Sequence, residues 1–412
     1  MAVAEACDIA VVGAGPAGAV AAAILARKGY DVVVLERQSF PRFSIGESLL
    51  PQCMVFLDEA GMTGPVQAAG FQLKDGAAFD RGGLRSSFDF SDKTAEGWST
   101  TFQVKRAHFD KLLADEAEKA GAAVHYRHEI VDARFDEQAA YLTHVDEEST
   151  RATLKCRYCL DASGFGKSLS SLLGLNEPGE GSDRESIFTH IRDGAGACAI
   201  DRNKILITVH PVHHRVWFWL IPFSDGTSSL GVVGPGSYFS DYSGDPLADL
   251  RKIVSETGLL GDIVKHAAFD FPVRRTAGYA SRVSRLYGRR FALLGNAGGF
   301  IDPVFSSGVT IALKSASLAA SATERELKGE TVDWERDFAA PLNVGVETFR
   351  QFVAAWYDTS LQDVIFAKTP NPRIRRMICS ILAGYAWDTS NPYVVHPRRR
   401  LTALSEMCRL EK

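Results

Sequence analysis

Residues 13–18 read Gly13-Ala14-Gly15-Pro16-Ala17-Gly18, a spacing that lets a backbone turn tightly, approach a pyrophosphate and pack a helix on a sheet. The apolar run Asp8 to Val12 reads as a buried strand entering that turn. Ala19 to Leu25 continues as a helix, and Asp31 to Leu35 is a second strand that Glu36 ends, 18 residues after Gly18. An acid there takes ribose hydroxyls, so the unit predicts a dinucleotide site. Trp217-Phe218-Trp219-Leu220-Ile221-Pro222 carries different chemistry: indoles at alternate strand positions share one face and make a rigid wall. The same spacing also suits a packed core strand. Lys74 stands in Phe71-Gln72-Leu73-Lys74-Asp75-Gly76-Ala77-Ala78-Phe79. Its ammonium can donate hydrogen bonds and its neutral amine can act as a nucleophile, although a lone strand lysine is usually a solvated edge residue. In Phe300 to Gly308, a helix start around Gly308 offers free N–H groups and a positive dipole end to an anion. Pro303 and Gly308 would shape that loop in either case.

Later segments resemble the FAD-dependent aromatic hydroxylase-like flavoproteins. Arg106-Ala107-His108-Phe109-Asp110 opens a polar-faced helix and looks like their R-x-x-F-D element. Leu160-Asp161-Ala162-Ser163-Gly164-Phe165-Gly166 resembles D-x-x-G, and Phe291 to Ala297 is a strand running into a glycine turn before an apolar helix from about Val309. Asn296 departs from the Asp common at that turn, but an amide still hydrogen-bonds a ribityl chain. The resemblance runs from about residue 5 to about 340 and implies FAD. It assigns cofactor contacts to Gly13, Gly15, Ala17 and Gly18, to Glu36, Arg37, Arg42 and Ser48, to Arg106, Asp161 and Gly164, and to Asn296, Pro303 and Gly308.

Three pieces resemble the flavin-dependent halogenases, in their phenol and pyrrole branch: the W-x-W-x-I-P run, Gly46-Glu47-Ser48-Leu49-Leu50-Pro51, and F-x-x-P-x-x-S-x-G over Phe300 to Gly308. F-x-x-K-x-G-A-x-F around Lys74 is a fourth. The resemblance implies that reduced FAD from a separate flavin reductase forms a hydroperoxide, that chloride or bromide held by Ser306, Ser307 and Gly308 becomes hypohalous acid, and that Lys74 delivers it. Trp217, Trp219 and Pro222 would keep organic substrate off the flavin, leaving only a narrow passage toward Lys74. Tryptophan halogenases carry Glu where this chain has Phe305, so an electron-rich phenol or pyrrole is the expected substrate, beside Phe305, Val309, Phe349 and Trp356. An aromatic hydroxylase and a flavin reductase of a polyene or prenyl chain remain open alternatives.

The expected architecture is α/β: a discontinuous Rossmann-type FAD-binding domain (1–75, 100–170 and 280–340), a β-rich substrate domain (76–99 and 171–279) and a helical region from 341 to 412. In that last region Phe349, Phe352, Trp356 and Tyr357 fall on one helical face. With 412 residues, 46% of them hydrophobic, the chain can bury a large core, and a net charge of −4 with scattered signs leaves no nucleic-acid footprint. No run is long enough to span a membrane, and the first strand begins too early for a signal peptide. Seven dispersed cysteines fit a reducing cytoplasm. Neither Cys156-Arg157-Tyr158-Cys159 nor His210, His213 and His214, placed on a hairpin surface, reads as a metal site. Arg373, Arg375, Arg376 and Arg398-Arg399-Arg400 read as a solvated face; the resemblance implies a substrate that is either free or carried on an acidic acyl carrier protein, which such a face would steer.

Overall fold

The computed structural model describes residues 3–181, 183–194, 196 and 200–410. At the centre of an eight-stranded sheet lies Ala6–Val12, parallel to Val32–Glu36 on one side and Arg151–Asp161 on the other. Every residue of Val32–Glu36 is buried, as a strand covered on both faces requires. Ala123–Tyr126 and Phe291–Leu293 extend the parallel order outward. The Pro16–Arg27 and Ser307–Leu327 helices pack together over this sheet, and the small buried alanines of both let the backbones come close.

A seven-stranded sheet follows, in the order Arg274–Ala277, Arg184–Arg192, Thr227–Pro235, Trp217–Pro222, Lys204–Val209, Gly76–Arg81, Leu84–Asp89. Its strands pair antiparallel except Lys204–Val209 with Gly76–Arg81. All six residues of Trp217–Pro222 are buried, and the pleat sorts them: Trp217, Trp219 and Ile221 enter the core shared with the first sheet. Phe218 and Leu220 enter a separate core with Leu250, Ile253 and Leu260.

The Ala340–Tyr357 helix opens the C-terminal helical region, and Phe349, Phe352, Trp356 and Tyr357 are all buried on it. One expectation is corrected. His210 lies buried at the strand end rather than on the hairpin surface, with Nε2 3.1 Å from Glu256 Oε2. Its Nδ1 accepts hydrogen bonds from the N–H groups of Val212 and His213, so the ring braces the turn, and burial holds its pKa below the usual imidazole value.

Candidate active site

The two layers enclose a cavity of about 740 Å³. The first turn enters at Gly13, which adopts a φ of +94°, and Gly18 packs so tightly that a β-carbon there would meet Gly13 O at 1.9 Å. Gly15 differs. A β-carbon on it would meet only Arg42 Nη2, at 3.4 Å, so the space in front of it is open to a ligand. It leads into the Pro16–Arg27 helix, whose start has no side-chain cap, so its first N–H groups and positive dipole end face the cavity lined by Gly15 and Ala17.

Glu36 lines the same end and is held rigidly: one carboxylate oxygen accepts from Ala14 N at 2.9 Å, the other from Gln38 N at 2.8 Å. Each oxygen retains a lone pair for a hydroxyl. Arg37 lines the cavity from an exposed position opposite Glu129. Asp110, fully buried, gathers two cations. Arg106 forks onto it at 2.6 and 2.9 Å, and Arg42 reaches it at 3.2 Å. Arg106 also donates to Ile45 O, so the expected cofactor arginine shapes the loop before Glu47 as well as lining the cavity. Ser48, Gly164 and Asn296 line it too, and the Ser48 hydroxyl is buried with no protein partner among the described residues. Asp161 does not face the cavity. Its carboxylate accepts from Ser163 N and Leu169 N, which fixes the turn that presents Gly164.

Pro303, Ser306, Gly308 and Val309 line the same cavity. Ser306 adopts a left-handed φ of +57° and lacks a capping hydrogen bond, so the N-terminal N–H groups of the 21-residue Ser307–Leu327 helix are available to an anion. Ser307 is buried beneath. Trp217, Trp219 and Ile221 form the wall, with Phe188 and Val233, while Pro222 lies buried off the cavity. The indole of Trp219 donates to Ser229 Oγ at 3.0 Å, and its centroid is 5.9 Å from that of Trp217.

Lys74 lies outside this cavity and is only 1% exposed. It ends the Gln72–Lys74 strand; Nζ donates to Leu49 O at 2.8 Å and stands 5.5 Å from the Phe90 ring centre. Burial pulls its pKa from 10.5 down to about 7, with the nearby Cys53 opposing. Cys53 Sγ lies 3.1 Å from Thr310 Oγ1, one turn inside the helix that starts at Ser307, so Lys74 and the start of that helix share one packed neighbourhood. Phe305, Phe349 and Trp356 do not line the cavity. Phe305 and Phe79 each approach Trp356, at centroid distances of 5.9 and 6.0 Å, as a packed aromatic cluster behind the wall. The Trp356 Nε1–H within that cluster has no partner among the described residues.

Sequence reasoning missed Asp110 as the hub of the two arginines, although it stands inside the R-x-x-F-D element. It also missed Gly231 beneath Trp219, for which a glycine inside a strand was the available signal. Among the described residues no group of three or more His, Cys, Asp or Glu is arranged to hold a metal ion.

Comparison with known proteins gives the family. The FAD binding domain family matches residues 6–240. A flavin-dependent halogenase of Armillaria mellea is 31% identical over 80% of this chain and 69% of its own length. A 1H-pyrrole-2-carbonyl-[peptidyl-carrier protein] chlorinase of Pseudomonas fluorescens is 27% identical over 97% of this chain and 94% of its own. A solved flavoprotein/dehydrogenase from Cytophaga hutchinsonii is 44% identical, superposes with a TM-score of 0.96, and is covered over 98% of this chain and 99% of its own. On the family match over more than half of its length and on its 31% identity to a known halogenase, the chain belongs to the flavin-dependent halogenases, enzymes that use FAD and halide.

Proposed function

We propose that this halogenase installs chloride or bromide on an electron-rich aromatic of phenol or pyrrole type, with Lys74 delivering the halogen. The observation that carries the reading is the division of the site. Trp217, Trp219 and Ile221 wall the cavity, and Lys74 lies buried outside it, with burial pulling its pKa down to about 7.

Gly15 and the Pro16–Arg27 helix start would hold the pyrophosphate, Glu36 the ribose, Asn296 the ribityl chain, and the helix start at Ser306, Ser307 and Gly308 the halide. Bound FAD, once reduced, supplies the oxygen activation that turns halide into an electrophilic halogen. The indoles exclude organic substrate from that chemistry. Burial brings the Lys74 pKa down to about 7, so its ammonium can donate a hydrogen bond to hypohalous acid and its neutral amine can accept the halogen with loss of water. Phe305 leaves no carboxylate at its position, which suits a ring that is already activated. A separate flavin reductase supplies the electrons, in the cytoplasm; among the described residues no helix is long and apolar enough to cross a membrane.

The substrate is either free or carried on an acyl carrier protein. Arg398, Arg399 and Arg400 stand exposed at the start of the Pro397–Leu410 helix, whereas Arg375 is tied to Ser87 O and stacked 3.9 Å over Phe88. The test is turnover with a flavin reductase, chloride or bromide, and a panel of phenols and pyrroles, free and carrier-bound, read by mass spectrometry. Halogenated product with one class identifies the substrate. Hydroxylated product, or flavin oxidation with none, overturns the reading.

A further inference from the structure

Between the cavity wall and the halide loop runs a buried hydrogen-bond chain that no motif announces. Trp217 Nε1 donates to Tyr357 Oη at 2.8 Å, and Tyr357 Oη lies 2.8 Å from Asp302 Oδ2. An indole N–H can only donate, so the single phenolic hydrogen must go to the carboxylate and the chain has one direction. Arg184 Nη1 reaches the same carboxylate oxygen at 3.1 Å, and its guanidinium carbon sits 3.5 Å from the Tyr357 ring centre. The other oxygen accepts from Val304 N at 3.2 Å. One end of the chain is therefore the wall, and the other is the residue that precedes Pro303 and shapes the turn leading to Ser306, Ser307 and Gly308.

Packing alone would need only the ring of Tyr357. Here the hydroxyl is used twice, and Trp217, Asp302 and Tyr357 are 1%, 1% and 7% exposed, so no solvent stands ready to replace it. We propose that Tyr357 is a positioning residue that ties the Trp217 indole to the 303–308 loop, holding wall and halide site in one register. The proposal rests on the halogenase reading.

The test uses the FAD-loaded holoenzyme of the wild type, Tyr357→Phe, Trp217→Phe and the double variant. Two properties are read: bromide affinity, from the change bromide causes in the visible spectrum of bound FAD, and exposure of the flavin, from quenching of its fluorescence by acrylamide. Tyr357→Phe keeps the ring but leaves the indole N–H and the carboxylate each short of a partner. It is expected to weaken bromide about tenfold and to raise quenching. Trp217→Phe breaks the same bond from its other end, so the double variant should match the worse single variant rather than multiply the two effects. Unchanged bromide affinity and quenching in Tyr357→Phe, even with a lowered melting temperature, would make the hydroxyl merely structural and overturn the proposal, as would multiplicative effects in the double variant. A wild-type protein that binds no bromide overturns the functional reading itself, and this inference with it.

Discussion

A β-carbon on Gly231 would stand 2.3 Å from the ring of Trp219, so the indole lies directly against the backbone of the neighbouring strand. The two residues face each other across the Trp217–Pro222 and Thr227–Pro235 pair, and Ser229 Oγ fixes the indole nitrogen. The wall of the cavity therefore depends on the absence of a side chain one strand away. Gly231→Ala should cost about 1–3 kcal/mol by overpacking, lowering the melting temperature. It should also displace the indole and make bound flavin easier to quench with acrylamide. Lowered stability with unchanged quenching would remove Trp219 from the wall.

Lys74 donates a hydrogen bond to Leu49 O and lies outside the cavity. Lys74→Ala should therefore abolish halogenation of the organic substrate while FAD binding and oxygen-dependent flavin reoxidation stay within about twofold of wild type, a small change beside the tenfold that 1.4 kcal/mol represents. Equal loss of FAD from this variant would show the lysine to be structural.

The same burial makes stability depend on pH. Below pH 7 the folded state must keep Lys74 charged in an apolar site; between 7 and 10.5 the unfolded chain holds a proton that the folded one has lost, so the penalty shrinks as pH rises. Lys74→Met should accordingly raise the unfolding free energy most at pH 6, by a few kcal/mol with a ceiling of about 5 at roughly 1.4 kcal/mol per pH unit. The gain should fall steadily toward pH 10. Denaturant melts at pH 6, 8 and 9.5 give the comparison, and a gain independent of pH would rule out the neutral amine.

Gly15 offers a clean test of the cofactor turn, because its backbone has room for a side chain and the fold should survive one. Gly15→Val should place its methyl groups where the pyrophosphate sits and leave a folded, colourless protein, with circular dichroism unchanged and FAD absorbance lost. A variant that purifies fully yellow would place the nucleotide elsewhere.

Local chemistry made much of this protein legible in one dimension. The glycine turn, its two flanking strands and Glu36 depend on contacts within about thirty residues, and alternation along Trp217–Pro222 shows that its two indoles share a face because a strand has no other way to point them. Which face meets the cofactor is a matter of sheet partners. The Lys204–Val209 strand beside Trp217–Pro222 pairs on its other edge with Gly76–Arg81, more than a hundred residues away in the chain, and that pairing sets how the sheet continues past the wall. The burial of Lys74 was decided likewise. A lysine in a three-residue strand reads as an edge residue until Leu49, Cys53 and Phe90 close over it. Asp161 stands in a nucleotide motif, yet it spends its carboxylate on backbone N–H groups. The chain from Trp217 through Tyr357 to Asp302 joins three distant segments whose spacing carries no trace of their meeting, because a hydrogen bond depends on distances in space that only the packed core sets.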